Sequence, residues 1–148
     1  MRVLVQRSNK SSVEIDKKVV GKIDSGLVLL VGFTDGDTLK DIKYLASKVA
    51  KLRIFDDENG VMNKSILDVG GDILSISQFT LYGDASEGNR PSYIKAMRGE
   101  EATKLYDIFN EELRALGLVV ETGVFGADML VSIENNGPVT IWLESSGR

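Results

Sequence analysis

The sequence predicts a single mixed α/β domain, largely β with two helices packed on sheet, in the order β-β-β-α-β-α-β-β-β. Three observations carry that expectation. The chain has 148 residues, a length that favours one domain over residues 1–148. Its apolar residues recur at strand spacing or in short continuous runs over most of the chain, and at helical spacing in only two stretches. Its 43% hydrophobic and 27% charged residues are an ordinary soluble composition. A chain of this size can bury roughly 68–70% of its unfolded surface, so neither disulfides nor metals are needed to hold it together.

The elements follow in order. Arg2 to Arg7 and Ser12 to Ile15 read as two strands, with Asp16-Lys17-Lys18 as a turn into Val19-Val20. Leu27 to Phe33 is a near-continuous apolar run, the mark of a strand buried on both faces. Asp37 can cap a helix to about Leu52, because Ile42, Leu45, Ala46, Val49 and Leu52 make one apolar stripe. Lys40, Lys43 and Lys51 fall opposite, as a solvated face or, with a nucleic-acid substrate, a phosphate-contacting ridge. Asp56-Asp57-Glu58-Asn59-Gly60 reads as a hairpin turn before Val61-Met62-Asn63; it lacks the alternating ligands and terminal Glu of a calcium loop.

Asp72 to Leu81 alternates, with Ile73, Ser75, Ser77 and Phe79 facing one way and Leu74, Ile76, Gln78 and Thr80 the other. A loop from Gly83 to Gly99 follows, holding Arg90-Pro91-Ser92. From about Glu100 a second helix places Ala102, Leu105, Tyr106, Phe109, Leu113 and Leu116 on one face and stops at Gly117. Leu118 to Val124, Met129 to Glu134 and Val139 to Glu144 then read as three strands. Phe125-Gly126-Ala127-Asp128 and Asn135-Asn136-Gly137-Pro138 separate them.

Much chemistry is excluded. With no histidine and no cysteine there is no Ser-His-Asp or Cys-His machinery, no disulfide, and no thiolate or imidazole ligand for zinc. No Gly-x-Gly-x-x-Gly follows a strand, and Gly70-Gly71 lacks the Lys-Ser/Thr of a phosphate loop. The N-terminal apolar run is too short for a signal segment, and no stretch approaches the roughly 20 apolar residues of a membrane span, so a cytoplasmic protein with no membrane partner is expected. With neither a helix-turn-helix nor a basic tract, no DNA partner is expected. Three polar segments remain: Ser77-Gln78-Phe79-Thr80, Phe125-Gly126-Ala127 and Asn136-Gly137-Pro138-Val139-Thr140. Singly they read as a polar strand end, a loop, and an Asn-Gly hairpin turn followed by a strand-opening proline.

Together with Met1-Arg2-Val3, Val5-Gln6-Arg7, Leu52-Arg53-Ile54-Phe55, Met62-Asn63, Leu67-Asp68-Val69-Gly70-Gly71, Leu81-Tyr82, Arg90-Pro91-Ser92 and Glu121 to Met129, these segments resemble the D-aminoacyl-tRNA deacylases over essentially the whole chain. Ser11, where the family often has Ala, and Tyr93, where it often has Phe, lie outside the two signature motifs. The resemblance implies a cytoplasmic homodimer whose partner is the aminoacyl-tRNA 3′ end. It would hydrolyse the ester between the terminal adenosine and a D-amino acid, or glycine mischarged on tRNA-Ala. Ser77, Gln78, Phe79 and Thr80 match the signature lining the scissile ester. Gly137 and Pro138 match a Gly-cis-Pro pair that enters the partner subunit's site and excludes L-substrates. Phe125, Gly126 and Met129 fall near the terminal adenosine. No cofactor is implied.

The inventory permits such a reaction. An aminoacyl ester is activated and has a neighbouring ribose hydroxyl, so backbone N–H groups around Phe79 and Thr80 can serve as oxyanion donors while the 2′-hydroxyl assists water. Thr80 has no histidine or nearby lysine in its segment to take its proton, which argues against an activated nucleophile. The rivals are a non-catalytic tRNA-binding module, for which an appended domain is expected, and a hydrolase using a carboxylate base. A net charge of −4 is an awkward fit for RNA, so contact is expected to be confined to the tRNA end. Activity is expected to survive exhaustive chelation; loss with EDTA and recovery with one divalent ion, on intact tRNA, is the contrary result.

Overall fold

The computed structural model describes residues 1–145. Its strands are β1 (Arg2–Ile15), β2 (Lys18–Ile23), β3 (Gly26–Gly32), β4 (Phe55–Asp56), β5 (Met62–Lys64), β6 (Asp72–Ser77), β7 (Val120–Thr122) and β8 (Leu130–Glu144). The helices are α1 (Leu39–Lys51), the one-turn α2 (Ile66–Val69) and α3 (Gly99–Ala115), with a 3₁₀ turn at Phe79–Tyr82. The main sheet runs β2-β1-β3-β6-β7, and β8 pairs with β1. The β1 pairings are antiparallel, whereas β3–β6 and β6–β7 are parallel. Parallel neighbours need a long crossover, and α1 and α3 occupy the two crossovers. The mixed α/β expectation, largely strand with two main helices, is met.

β3 is buried on both faces, as its continuous apolar run predicts. Leu27, Leu29 and Val31 join the core under the helices, with Ile42, Leu45, Val49, Phe109 and Leu113. Val28 faces a second cluster with Val13, Ile23, Leu74 and Ile76. That second core lies inside a nearly closed, barrel-like sheet, which curls until β2 meets the far edge. A Cβ on Gly21 would stand 2.6 Å from the carbonyl oxygen of Thr122, so the approach requires a glycine there.

Four strand expectations are corrected. The two strands expected at Arg2–Arg7 and Ser12–Ile15 are one, because Ser8 and Ser11, buried at 2% and 4% exposure, keep pairing through the gap. Met129–Glu134 and Val139–Glu144 likewise merge into β8, with Asn135 to Pro138 as an irregularity against β1 rather than a hairpin turn. The strand from Asp72 ends at Ser77, because its last ladder bond, Gln78 N–H to the Val31 carbonyl at 2.7 Å, is followed by the 3₁₀ turn. The strand expected at Leu118–Val124 is only Val120–Thr122.

The first helix is capped by Thr38, whose N–H donates to Asp41 Oδ2 at 2.9 Å, and not by Asp37. Asp37 serves elsewhere: its carboxylate accepts the Met1 ammonium at 2.8 Å and the Thr34 N–H at 2.8 Å, with side-chain exposure of 0% for Met1 and 7% for Asp37. Among the described residues no helix is long and apolar enough to cross a membrane. Removing one partner of a buried ion pair leaves the other uncompensated, so Asp37→Asn is expected to lower unfolding free energy by about 3 kcal/mol. Urea titration of the variant beside the parent checks this.

Candidate active site

β6 carries the chain to Ser77, level with Val31 of β3. Beyond it Gln78 leaves extended geometry at φ −145°, ψ 79°, and the chain tightens so that Leu81 N–H donates to the Gln78 carbonyl at 3.2 Å and Gly83 N–H to the Thr80 carbonyl at 2.9 Å. The first N–H groups of a helical turn find no carbonyl inside it. Phe79 and Thr80 hold those positions. The turn fits because Gly32 lies beneath it: a Cβ there would stand 2.9 Å from the Gln78 carbonyl oxygen.

Opposite this turn runs the segment from β7 to β8. Gly126 has φ +81°, a left-handed value suited to glycine, and Ala127 N–H closes a turn onto the Val124 carbonyl at 3.2 Å. The Met129 side chain lies over Gly123, where any Cβ would collide with its sulfur. Phe125 packs on Tyr106 of α3 with centroids 5.9 Å apart, and the Tyr106 hydroxyl donates to the Ser75 carbonyl at 2.6 Å. Burial pushes the Tyr106 hydroxyl's pKa above its ordinary value, so it remains a neutral donor. The helix thereby braces both walls.

Between the walls lies a cavity of about 260 Å³, lined by Ser77, Gln78 and Phe79 on one side and Phe125, Gly126 and Met129 on the other. The structure thus brings together six of the nine residues singled out in the sequence. Thr80 is not in the lining; it is exposed, and its hydroxyl accepts from Gln78 Nε2. A larger groove of about 520 Å³ continues past Phe125 between α3 and β7.

Gly137 and Pro138 are elsewhere. Both are exposed on β8 and joined by a cis peptide bond, the geometry implied by the resemblance. Their surroundings clamp them. Arg7 Nε donates to the Asn136 carbonyl at 2.8 Å and Arg7 Nη1 to the Ile54 carbonyl at 2.8 Å, with Asp56 Oδ1 at 3.4 Å. The Asn135 side chain closes on Val139 N–H at 2.8 Å and on the Thr140 hydroxyl at 3.0 Å. Arg7 pairs across the sheet with Leu27, which lies level with Ile73, whereas the cavity opens beyond Ser77. From Ile73 to Ser77 is about 13 Å along β6.

Sequence reasoning assigned no role to Arg7 or to Arg98, which lies over the Phe79 ring. Their partners are distant in sequence and follow no period. Among the described residues there is no group of three or more Asp, Glu, His or Cys that could hold a metal ion.

A curled sheet braced by two crossover helices, with a glycine-bordered cavity at the carboxyl end of a parallel strand, is an arrangement able to hold a small reactive group against backbone donors. Residues 4–144 match the model of the D-Tyr-tRNA(Tyr) deacylase family, and the chain belongs to that family. It is 59% identical over 145 residues to a protein from Bacillus cytotoxicus named D-aminoacyl-tRNA deacylase, covering 98% of this chain and 99% of the relative. A protein of the same name from Bacillus cereus matches equally, at 59% over 145 residues with the same coverage.

Among solved structures, one titled c-Myc DNA Unwinding Element Binding Protein superposes with a TM-score of 0.92 at 40% identity, covering 98% of this chain and 99% of its own. A probable eukaryotic D-amino acid tRNA deacylase shares the fold at a TM-score of 0.81 and 19% identity, covering 96% and 97%.

Because the Phe79 turn rests on Gly32, Gly32→Ala is expected to displace the cavity wall more than it harms the fold. Deacylation of D-tyrosyl-tRNA should fall about tenfold or more, while the protein stays folded with a modest loss of about 1–3 kcal/mol. Initial rates measured beside a urea titration separate the two effects.

Proposed function

We propose that this chain is a cytoplasmic homodimeric D-aminoacyl-tRNA deacylase, a hydrolase acting on the ester that joins a D-amino acid, or glycine mischarged on tRNA-Ala, to the terminal adenosine of tRNA. The observation that carries the proposal is the turn at the end of β6. It opens with the Phe79 and Thr80 backbone N–H groups, which have no acceptor within their turn, and Phe79 lines the cavity that Phe125, Gly126 and Met129 close. Family membership supplies the substrate class.

In this reading the terminal adenosine lies along Phe125, Gly126 and Met129, and the ester carbonyl oxygen faces the two N–H groups. Water adds to the carbonyl carbon, and the developing negative charge is held by donors fixed in place before the reaction. The bond to the ribose oxygen then breaks. The water's proton passes to that oxygen by way of the neighbouring 2′-hydroxyl, releasing free tRNA and the amino acid. Ser77 and Gln78 shape the wall. Thr80, whose hydroxyl is engaged by Gln78, is not a nucleophile.

Chirality is assigned to the second subunit. Gly137 and Pro138 are exposed beside Arg7, which lies level with Ile73, about 13 Å along β6 from the end that carries the cavity, so they serve the cavity of another copy. There their backbone limits the space beside the substrate's α-carbon, admitting glycine or a D-side chain and excluding an L-side chain. The exposed Leu130 and Trp142 on β8, which among the described residues pairs with β1 alone, give that copy an apolar surface to meet.

Purified protein is expected to deacylate D-tyrosyl-tRNA and glycyl-tRNA(Ala) and to leave L-tyrosyl-tRNA intact. Thr80→Ala should retain most of the rate, whereas loss of a covalent nucleophile costs several orders of magnitude. A tRNA ending in 2′-deoxyadenosine should be turned over slowly. Undiminished turnover of that substrate, or an acyl ester trapped on Thr80, overturns the mechanism; equal hydrolysis of L- and D-esters overturns the function.

A further inference from the structure

Against Phe79, a residue of the cavity wall, lies a cation whose surroundings differ from those of an ordinary surface arginine. The guanidinium carbon of Arg98 lies 4.3 Å from the centroid of the Phe79 ring and 5.6 Å from that of Tyr93. The two rings meet edge to face, with centroids 5.3 Å apart and planes at 71°. Among the described residues no carboxylate pairs with Arg98 and no acceptor takes its N–H groups. Lys95, in the same segment, is drawn to Asp84 at 4.0 Å.

The geometry has a chemical consequence. A guanidinium lying against an aromatic face keeps its N–H groups in its own plane, directed outward around the ring, where their fork matches a phosphate or carboxylate. The rings restrict its rotation, so less freedom is lost when an anion binds. One of those rings belongs to Phe79, which lines the cavity assigned to the ester. In an aminoacylated RNA end, the anion nearest the ester is the phosphodiester on the 5′ side of the same ribose. The overall charge of −4 provides no general attraction for RNA, so a fixed local cation matters more.

We propose that Arg98 binds this phosphodiester, the one joining the terminal nucleoside of the substrate to the preceding nucleotide, using the Phe79 and Tyr93 rings as its platform. The proposal rests on the deacylase reading. It makes Arg98 a substrate-binding residue that distinguishes an RNA end from a free nucleoside ester.

The test compares wild type, Arg98→Ala and Arg98→Lys on two substrates, D-tyrosyl-tRNA and 2′(3′)-O-D-tyrosyl-adenosine, which has the same ester but no phosphodiester. For Arg98→Ala the ratio of kcat/KM on the tRNA to that on the nucleoside ester is expected to fall about fivefold, mainly through KM on the tRNA. The salt dependence of kcat/KM on the tRNA should become shallower by about 0.7 in log-log slope, the value for one phosphate contact on a single strand. Lysine, which keeps the charge without the planar fork, should restore the slope.

Equal losses on both substrates would mean that Arg98 only steadies Phe79, and would overturn the proposal. So would an unchanged ratio, or a slope that lysine fails to restore. Wild-type protein inactive on both esters would overturn the deacylase reading and this proposal with it, whereas an active wild type with an unchanged ratio overturns this proposal alone.

Discussion

The fold depends on one strand having three partners. β1 pairs along one edge with β3 from Arg2 to Ser8 and then with β2 from Ser11 to Ile15, while β8 runs along its other edge. The exchange of partners falls at Ser8–Ser11, where both serines are buried and the β8 register shifts on either side of Ser8. A strand that changes neighbours partway must bend, and the bend curls the sheet until Gly21 of β2 meets Thr122 of β7. The curl creates two cores from one sheet, one under the helices and one inside the barrel.

Those cores decide where chemistry can occur. Parallel pairing of β3 with β6 fixes Ser77 opposite Val31, and the ladder ends one residue later at Gln78. The next N–H groups stand at the start of a helical turn, where they are free to face a ligand. α3 then ties the two walls together, since Tyr106 both packs on Phe125 and bonds the β6 backbone at Ser75. The cavity is therefore a product of strand order and helix crossover. Its polar side chains are Ser77, Gln78 and the Asp128 carboxylate, with no histidine or lysine among them.

What the sequence made legible follows from range. Period alone locates α1, α3 and β3, because their stripes and runs report burial directly. It divides β1 and β8 wrongly, because Ser8, Ser11 and Asn135 to Pro138 interrupt the pattern while continuing to pair with, or be clamped by, distant residues. Ser77-Gln78-Phe79 and Phe125-Gly126-Met129 are visible as polar or glycine-bearing segments, yet their meeting across one cavity depends on a helix between them. Thr80 enters the candidate site through the Ser77-Gln78-Phe79-Thr80 signature of the resemblance, and the alternation from Asp72 reads as continuing through it to Leu81. The 3₁₀ turn instead leaves its hydroxyl on Gln78. Arg7 and Arg98 gain their significance from an Asn136 carbonyl and a Phe79 ring that no spacing rule connects to them.

The same geometry bears on why an active unit would need two copies. The cavity opens at the carboxyl end of β6, while Gly137 and Pro138 are held near the other end of that sheet by Arg7, itself fixed to Ile54 and Asp56. Each chain thus carries the cavity at the Phe79 turn and, away from it, a rigid backbone element at Gly137 and Pro138. Under the proposed function, assembly completes the selectivity filter while leaving the oxyanion donors intrinsic to each subunit. Hydrolysis and chiral selection then reside on different chains, and weakening the subunit contact would release discrimination before it abolished catalysis. A monomer would retain the Phe79 turn and lose the wall that excludes L-esters, so fidelity would depend on protein concentration in a way that the chemical step does not.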